Sequence, residues 1–390
     1  MGYVKKVNIE ELRSMKRVAL TPADVAEDLR YTYRVNGMDF TKDLGLKGKY
    51  CYHPFNTMTI DHKGDCYMCV CQAWLPVPVG NIMDFKSIKE IVKTAKAREI
   101  QASIVDGTFR YCDQKTCHLL ARNELETKID HKPDTINWIV FAVDDSCNLQ
   151  CPSCRTDLIF HKEGEKFEFR KKMMKHIAKL INNHDHYIRF TLSGDGDPFA
   201  SHIYRTLLKN LRLTKQQQVE IEMVTNGILV KRYWKEMPGV HENVYRFKIS
   251  FDAGTPEVYK ITRRGGSWKK LIDSTRYLVE WKKQTKSKMQ IVANYVVQNE
   301  NYRDIVTFVK LMKEIGVDQI SFQKVTDWGK YYVNGVNFFQ QHAVWMESHP
   351  NFNELCQILQ DPELYDPRIE LTNLSHLGQK HPDRPDSTTK

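Results

Sequence analysis

The 390-residue chain has no uninterrupted apolar run approaching the roughly 18 residues that a membrane-spanning helix needs. Its first thirty residues carry several charges and no apolar block of signal-peptide length, so a cytoplasmic location is expected, with no membrane partner. A Ser-His-Asp pattern, a Walker loop and a G-x-G-x-x-G fingerprint are all missing. Serine-type hydrolysis, P-loop phosphoryl transfer and Rossmann-type hydride transfer therefore lack their usual signatures. No dense basic run occurs either. The formal charge of +10 is scattered among acids, which reads as a solvated surface and disfavours a nucleic-acid partner without removing it. The nearest basic cluster, Trp281 to Lys288, reads as a helix end whose cations complement the macrodipole.

Cysteine, by contrast, is present in an organised way. Nine of the ten cysteines fall in two clusters, which in a reducing compartment points to metals rather than to a disulfide framework. Cys356 stands alone and reads as structural. A hydrophobic content of 41% supplies a sizeable core, and the length suits two or three domains.

The densest cluster is Ser146-Cys147-Asn148-Leu149-Gln150-Cys151-Pro152-Ser153-Cys154-Arg155, a C-x3-C-x2-C spacing just after the apolar run Ile136 to Val143. Thiolates hold iron–sulfur clusters, and a four-iron cube closed by protein takes four of them. Three leave one iron open to a small chelating molecule. The competing reading is a zinc site, for which His161 is the nearest following fourth ligand.

From residue 136 the pattern alternates strand and helix. Strands are expected at 136–144, 187–193, 219–225, 245–252, 289–298 and 319–325, separated by helices such as Phe167 to Asn182, Ile203 to Leu213, Trp268 to Lys283 and Tyr302 to Ile315. Six such units predict an α/β fold, a parallel sheet covered by helices with ligand groups at the carboxyl ends of its strands. Those ends are polar: Gly194-Asp195-Gly196-Asp197-Pro198, Thr225-Asn226-Gly227, Ser250-Phe251-Asp252, Asn294 and Gln323 to Gly329. Asn294 and the last stretch are candidates to line a substrate pocket. Helices are further expected at Phe338 to Glu347 and Phe352 to Leu359.

Upstream, Met58 to Asp61 and Cys66 to Val70 read as a hairpin turning at His62 to Asp65, which folds Cys51 back towards Cys69 and Cys71. Ser87 and Glu90 are spaced as a capping box before a helix that ends near Gly107 and delivers Cys112 and Cys117 to the same neighbourhood. Thr21-Pro22-Ala23-Asp24 reads as a helix start within an irregular lead-in, with a turn at Asn36-Gly37.

The C-x3-C-x2-C spacing resembles the signature of the radical S-adenosylmethionine (SAM) superfamily. The resemblance implies a partial (β/α)6 barrel of parallel strands and a [4Fe–4S] cluster on Cys147, Cys151 and Cys154. It further implies that the open iron of this cluster binds SAM, which is cleaved to a 5′-deoxyadenosyl radical. It also implies SAM contacts at Gly194, Asp195, Gly196 and Asp197, with Asn226 at the site rim and Ser250 and Asp252 towards the ribose. Arg264, chosen over Arg263, would meet the SAM carboxylate. Ser153 departs from the aromatic residue that many relatives carry before the last cysteine.

The pattern Cys51, Gly64, Cys69, followed by a Gly-Asn pair, a helix and a later cysteine pair, resembles the auxiliary-cluster extension called SPASM, or its shorter relative twitch. That resemblance implies a second [4Fe–4S] cluster on Cys51, Cys69, Cys112 and Cys117, with Cys71 as the rival to Cys69 and Cys66 as a bystander; a structural zinc is the alternative. The expected division is a lead-in over 1–48, the auxiliary domain over 49–130, the radical SAM core over 131–330, a helical closure over 331–378 and a disordered tail over 379–390.

The expected function is an oxidoreductase or modification enzyme that abstracts hydrogen from a C–H bond. Its substrate would be a peptide or protein, or else a carbohydrate or other small molecule, and its electrons would come from a donor such as flavodoxin or ferredoxin. No catalytic acid or base can be assigned from the residues. The alternatives are an iron–sulfur electron carrier without SAM chemistry and a zinc-stabilised nucleic-acid-binding protein.

Overall fold

Alternating apolar strands and amphipathic helices build the chain into two units in a computed structural model. The structure describes residues 41–378, apart from 115–116, 122, 128–135, 156, 185, 193–195, 212, 214–217 and 334–335. The helix start at Thr21, the turn at Asn36-Gly37 and the tail after 378 lie outside the described residues. The first unit takes the chain up to Asp145 together with 161–194 and 206–221, and the second takes 146–160, 195–205 and the chain from Glu222 onward.

In the first unit, β1 (Thr57–Asp61), β2 (Asp65–Tyr67) and β3 (Pro78–Asn81) form an antiparallel meander. Gly64 turns the hairpin with φ +89°, and a Cβ there would lie 2.8 Å from Asn81 Oδ1 and 3.1 Å from Met173 Sδ. The hairpin does not stand free. β1 pairs in parallel with β4 (Trp138–Ala142), which pairs in parallel with β5 (Ile188–Leu192), so the order is β3-β2-β1-β4-β5.

The expected capping box does not form. Ser87 makes no side-chain cap bond, and Glu90 instead accepts from the Lys86 amide at 2.9 Å. Only a single turn, Ile88–Ile91, follows before Thr94 caps a second helix, α1 (Ala95–Val105), by accepting from the Ala97 amide. The break arises because Thr94 offers the backbone an oxygen in an extended conformation, which competes with continuing the helix. Helix α2 (Glu165–Asn182) buries Arg170, Met173, Met174, Ile177, Leu180 and Ile181 at helical spacing, with Glu165 and Glu168 favourably placed in its first turn.

Helix α3 (His202–Asn210) and β6 (Val219–Thr225) each cross the division between the units. In the second unit the order is β6, β7 (Val244–Ser250), β8 (Gln290–Val297) and β9 (Gln319–Lys324). A two-residue ribbon of β10 (Tyr332–Val333) and β11 (Val336–Asn337) follows, and β12 (Ile369–Glu370) adds in parallel to β9. The pairs β7/β8 and β8/β9 are also parallel. Helices α4 (Pro256–Thr262), α5 (Trp268–Thr285) and α6 (Ile305–Ile315) connect them. The lysine-rich stretch from 281 closes α5, and Lys286 takes the left-handed conformation of a helix end at φ +53°.

The fold is thus α/β with a mostly parallel sheet, and no hydrogen bond closes it into a ring among the described residues. Two expected helices are shorter than their apolar spacing suggests: Phe339–His342 is a single turn, and α7 spans Phe352–Ile358. Cys356 lies half-buried on α7.

Candidate metal centres

The first thiol set sits on the loop after β4, and every contact that shapes it lies within the second unit. The Cys147 amide donates to Ile159 O at 2.8 Å, the Gln150 amide to Arg264 O at 2.9 Å, and the Cys154 and Arg155 amides both to Cys151 O. These bonds wrap the chain around the three sulfurs. Cys147 and Cys151 are buried, while Cys154 is exposed.

Each sulfur meets a side-chain N–H donor, and Cys147 also accepts from the Leu149 amide. Asn226 Nδ2 lies 3.8 Å from Cys147 Sγ, Arg263 Nη1 lies 3.7 Å from Cys151 Sγ, and Arg155 Nη2 lies 3.8 Å from Cys154 Sγ. Burial, followed by the Asp197 carboxylate, pushes the Cys147 thiol up to about 12 against the pull of Arg155. Burial likewise raises Cys151, while Arg263 favours its thiolate. Binding of a metal group here therefore has to displace thiol protons.

Asp197 was expected to touch SAM, yet its carboxylate is consumed internally. Oδ1 accepts from the Phe199 and Ala200 amides, both at 3.0 Å, and Oδ2 accepts from Thr225 Oγ1 at 2.7 Å and the Asn226 amide at 2.8 Å. Four donors fill a carboxylate's acceptor sites, so Asp197 ties the loop after β5 to the end of β6 and has no oxygen to offer a ligand. Gly196 precedes it; Gly194 and Asp195 lie outside the described residues. Asn226 is held by its own turn, with Oδ1 accepting from the Ile228 amide at 3.1 Å, and its Nδ2 also reaches Asn148 Oδ1 at 2.9 Å. Gly227 makes that turn at φ +77°, where a Cβ would come within 2.6 Å of Leu271.

Asp252 is similarly engaged. Its Oδ1 accepts from the Val296 amide at 2.7 Å and its Oδ2 meets Arg263 Nη2 at 2.6 Å. Of the two arginines, Arg264 is exposed and contributes its carbonyl, whereas the Arg263 guanidinium is turned inward onto Asp252 and Cys151. The Asp252 carboxylate gives the inward guanidinium a partner of opposite charge where both leave water.

Ser250 ends β7 in register with Asn294 on β8, which is in register with Ser321 on β9. These three polar residues therefore share one face of neighbouring parallel strands. Asn294 is buried with Oδ1 unpartnered. Nearer the amino ends, the same face carries a hydrogen-bonded ladder from Arg246 to Gln290, Gln319 and Glu370. Beyond the carboxyl end of β8, His342 Nδ1 pairs with Glu300 Oε1, the other Glu300 oxygen is buried and unpartnered, and the Tyr331 ring lies 4.5 Å from that of His342. Residue spacing carries no signal for this pair, because Glu300 and His342 lie 42 positions apart.

The second thiol set lies within the first unit. Burial pushes Cys69 well above the usual thiol range, and the neighbouring Cys51, Cys117 and Cys112 add to it. Cys112 in turn feels Cys51 and Cys117. The structure thus brings Cys51, Cys69, Cys112 and Cys117 together from four separate stretches. The Cys71 amide donates to Cys69, and the Cys71 thiol is half-buried. The Cys66 thiol donates to Gly64 O at 3.7 Å, and burial, with the charges of Asp65, Asp61 and Asp84, pushes it well above the usual thiol range.

Donor spacing tests the choice of metal. The one group of three candidate ligands with atoms within 4.8 Å of one another, among the described residues, is Asp144, Asp145 and His161; no three cysteine sulfurs are so close. Tetrahedral zinc, with Zn–S bonds of about 2.3 Å, needs its sulfurs about 3.8 Å apart. An iron–sulfur cube takes its thiolates at separate corners and suits the wider spacing. His161, the expected fourth zinc ligand, is paired with Asp145 at 2.8 Å.

Comparison with known proteins agrees with this geometry. Residues 143–321 match the model of the Radical SAM superfamily, and residues 51–118 match that of SPASM, an iron–sulfur cluster-binding domain. The chain thus carries a radical SAM domain and a SPASM domain. Its SPASM domain precedes the radical SAM domain in the chain, and the two imply a SAM-binding and an auxiliary cluster.

Among curated relatives it is similar to the GTP 3′,8-cyclase of Alkaliphilus metalliredigens, 24% identical over 47% of this chain and 55% of the relative. The GTP 3′,8-cyclase of Petrotoga mobilis is 24% identical over 55% of this chain and 65% of the relative. The chain therefore spans somewhat over half the length of these relatives. Among solved structures, Streptococcus suis SuiB gives a TM-score of 0.37 at 15% identity, covering 73% of this chain and 59% of that one. Native anSMEcpe with bound AdoMet gives 0.36 at 19% identity, covering 49% and 52%.

Proposed function

We propose that this chain is a radical SAM enzyme in which Cys147, Cys151 and Cys154 hold the SAM-binding cluster and Cys51, Cys69, Cys112 and Cys117 hold an auxiliary one. The observation that carries the reading is the first thiol set itself: three cysteines on one loop, each faced by an N–H donor and spaced more widely than a single ion requires. When bound, the cluster and SAM would supply a 5′-deoxyadenosyl radical able to remove hydrogen from a C–H bond.

The chain's own residues would shape that chemistry. Burial of Cys147 and Cys151 keeps water from two of the ligands, and Asp197 fixes the loop that carries Asn226 to Cys147. Ser250 would meet the ribose of SAM, with Asn294 and Ser321 beside it in the same row. The unpartnered oxygens of Asn294 and Glu300 are acceptors for a substrate's donors. Such a face suits a substrate rich in hydrogen-bonding groups, a peptide or protein segment or a carbohydrate. A nucleotide is the second reading, favoured by the GTP 3′,8-cyclases among the relatives. The auxiliary cluster would pass electrons or hold substrate, and a flavodoxin or ferredoxin would be the external donor.

Anaerobic reconstitution tests the proposal. The loaded chain should hold about eight irons, bind SAM and release 5′-deoxyadenosine on reduction. A loaded, reduced chain that binds no SAM would refute it. Comparing peptides, sugars and GTP for stimulated 5′-deoxyadenosine release discriminates the substrate classes.

A further inference from the structure

The three side-chain N–H···S contacts fall one to each sulfur, and two of the donors are guanidinium groups. Arg155 is 8% exposed, and Arg263 is fastened by the Asp252 carboxylate at 2.6 Å. Asn226 is fixed from both sides by the Asp197 and Ile228 bonds. None of the donors is a free surface side chain that happens to reach a thiol.

Hydrogen bonds and positive charge at ligating sulfurs stabilise the more negative, reduced form of a cluster, and so raise its potential. Arg263 is partnered by Asp252, and Arg155 sits beside the exposed thiol Cys154, the ligand nearest to water.

We propose that Arg155, Asn226 and Arg263 are positioning residues that set the reduction potential of the SAM-binding cluster. The inference rests on the reading that Cys147, Cys151 and Cys154 hold that cluster. A guanidinium on a thiolate makes reduction easier, and its removal makes reduction harder.

The test is the midpoint potential of each cluster in the fully loaded chain, followed by electron paramagnetic resonance under redox poising. Arg155→Met removes both donor and charge. It should lower the reduction equilibrium constant of the SAM-perturbed cluster by about tenfold, which for a one-electron couple is about 59 mV. Arg155→Lys should recover part of that shift. Because Arg263→Met alone leaves the Asp252 carboxylate buried without its partner, the double variant D252N/R263M serves for that position. It should shift the same cluster in the same direction.

The auxiliary cluster is the internal reference and should not move. An unchanged midpoint in Arg155→Met, an equal shift of both clusters, or loss of about four irons with the arginine would each overturn the tuning role. A wild-type chain whose spectrum shows no SAM-perturbed cluster at all would instead overturn the underlying assignment, and the inference with it.

Discussion

At the scale of single residues, the carboxylates at the strand ends separate holding a site from serving it. Asp197 receives four donors at 2.7–3.0 Å, the Phe199, Ala200 and Asn226 amides and the Thr225 hydroxyl. Asp197→Asn would turn an amide NH2 towards groups that must donate. Stability should fall by about 2–3 kcal/mol through unsatisfied buried donors, read as a lower unfolding midpoint. Were Asp197 a direct SAM contact, the variant would weaken SAM binding without that loss. From the sequence, Gly-Asp-Gly-Asp-Pro beside a strand end fits either role, because both need a carboxylate next to flexible backbone. The arginine pair shows the same limit: neighbouring residues on one loop point in opposite directions, and only the tertiary fold turns Arg263 inward.

At the scale of elements, the strands were the most legible part. Val219–Thr225 matches its apolar run, and the other parallel strands fall within the expected ranges or begin one residue earlier. Turn residues bound each run, and burial forces the register. What the pattern did not reveal is how α2 is tied to the end of β4. Arg170 Nη1 meets Asp144 at 2.7 Å and Asp145 at 2.8 Å, with Asp144 fully buried. An arginine on the buried face of an amphipathic helix shows no partner in the sequence when that partner lies 26 positions away.

Arg170→Met should therefore destabilise the chain by about 3–5 kcal/mol, since it leaves buried carboxylates uncompensated. The pair also predicts a pH dependence. Burial alone would raise the Asp145 carboxyl, but the Arg170 charge, its hydrogen bond and then His161 hold it down to about 2. A depressed carboxylate stabilises the fold above its unfolded value near 4, and that contribution is lost as pH falls towards 2. Denaturant midpoints of the iron-free chain should fall across this window by the equivalent of about 2 kcal/mol, and Arg170→Met should flatten the dependence. A steeper fall in the variant would contradict the pairing.

At the scale of the whole molecule, each unit contains one complete thiol set, and no sulfur of one set belongs to the unit of the other. The C-x3-C-x2-C set was legible because its ligands are local, three positions on one loop. The other set was legible only in part. Cys51 precedes β1, Cys69 follows β2, and Cys112 and Cys117 follow α1, so sequence spacing left Cys69 and Cys71 as rivals. In the structure Cys69 is buried and feels the thiols of Cys51, Cys117 and Cys112, while the half-buried Cys71 donates its amide to Cys69.

Independent sets predict independent loading. Cys69→Ser should lower iron from about eight to about four per chain and leave the SAM-induced spectral change intact. Cys71→Ser should keep about eight, because an amide donor survives the change of side chain. The triple replacement of Cys147, Cys151 and Cys154 by Ser should also keep about four irons, but with no response to SAM. If Cys71→Ser lost the iron and Cys69→Ser did not, the ligand assignment would reverse. If either change emptied both sites, the two sets could not be the separate centres that their division between units implies.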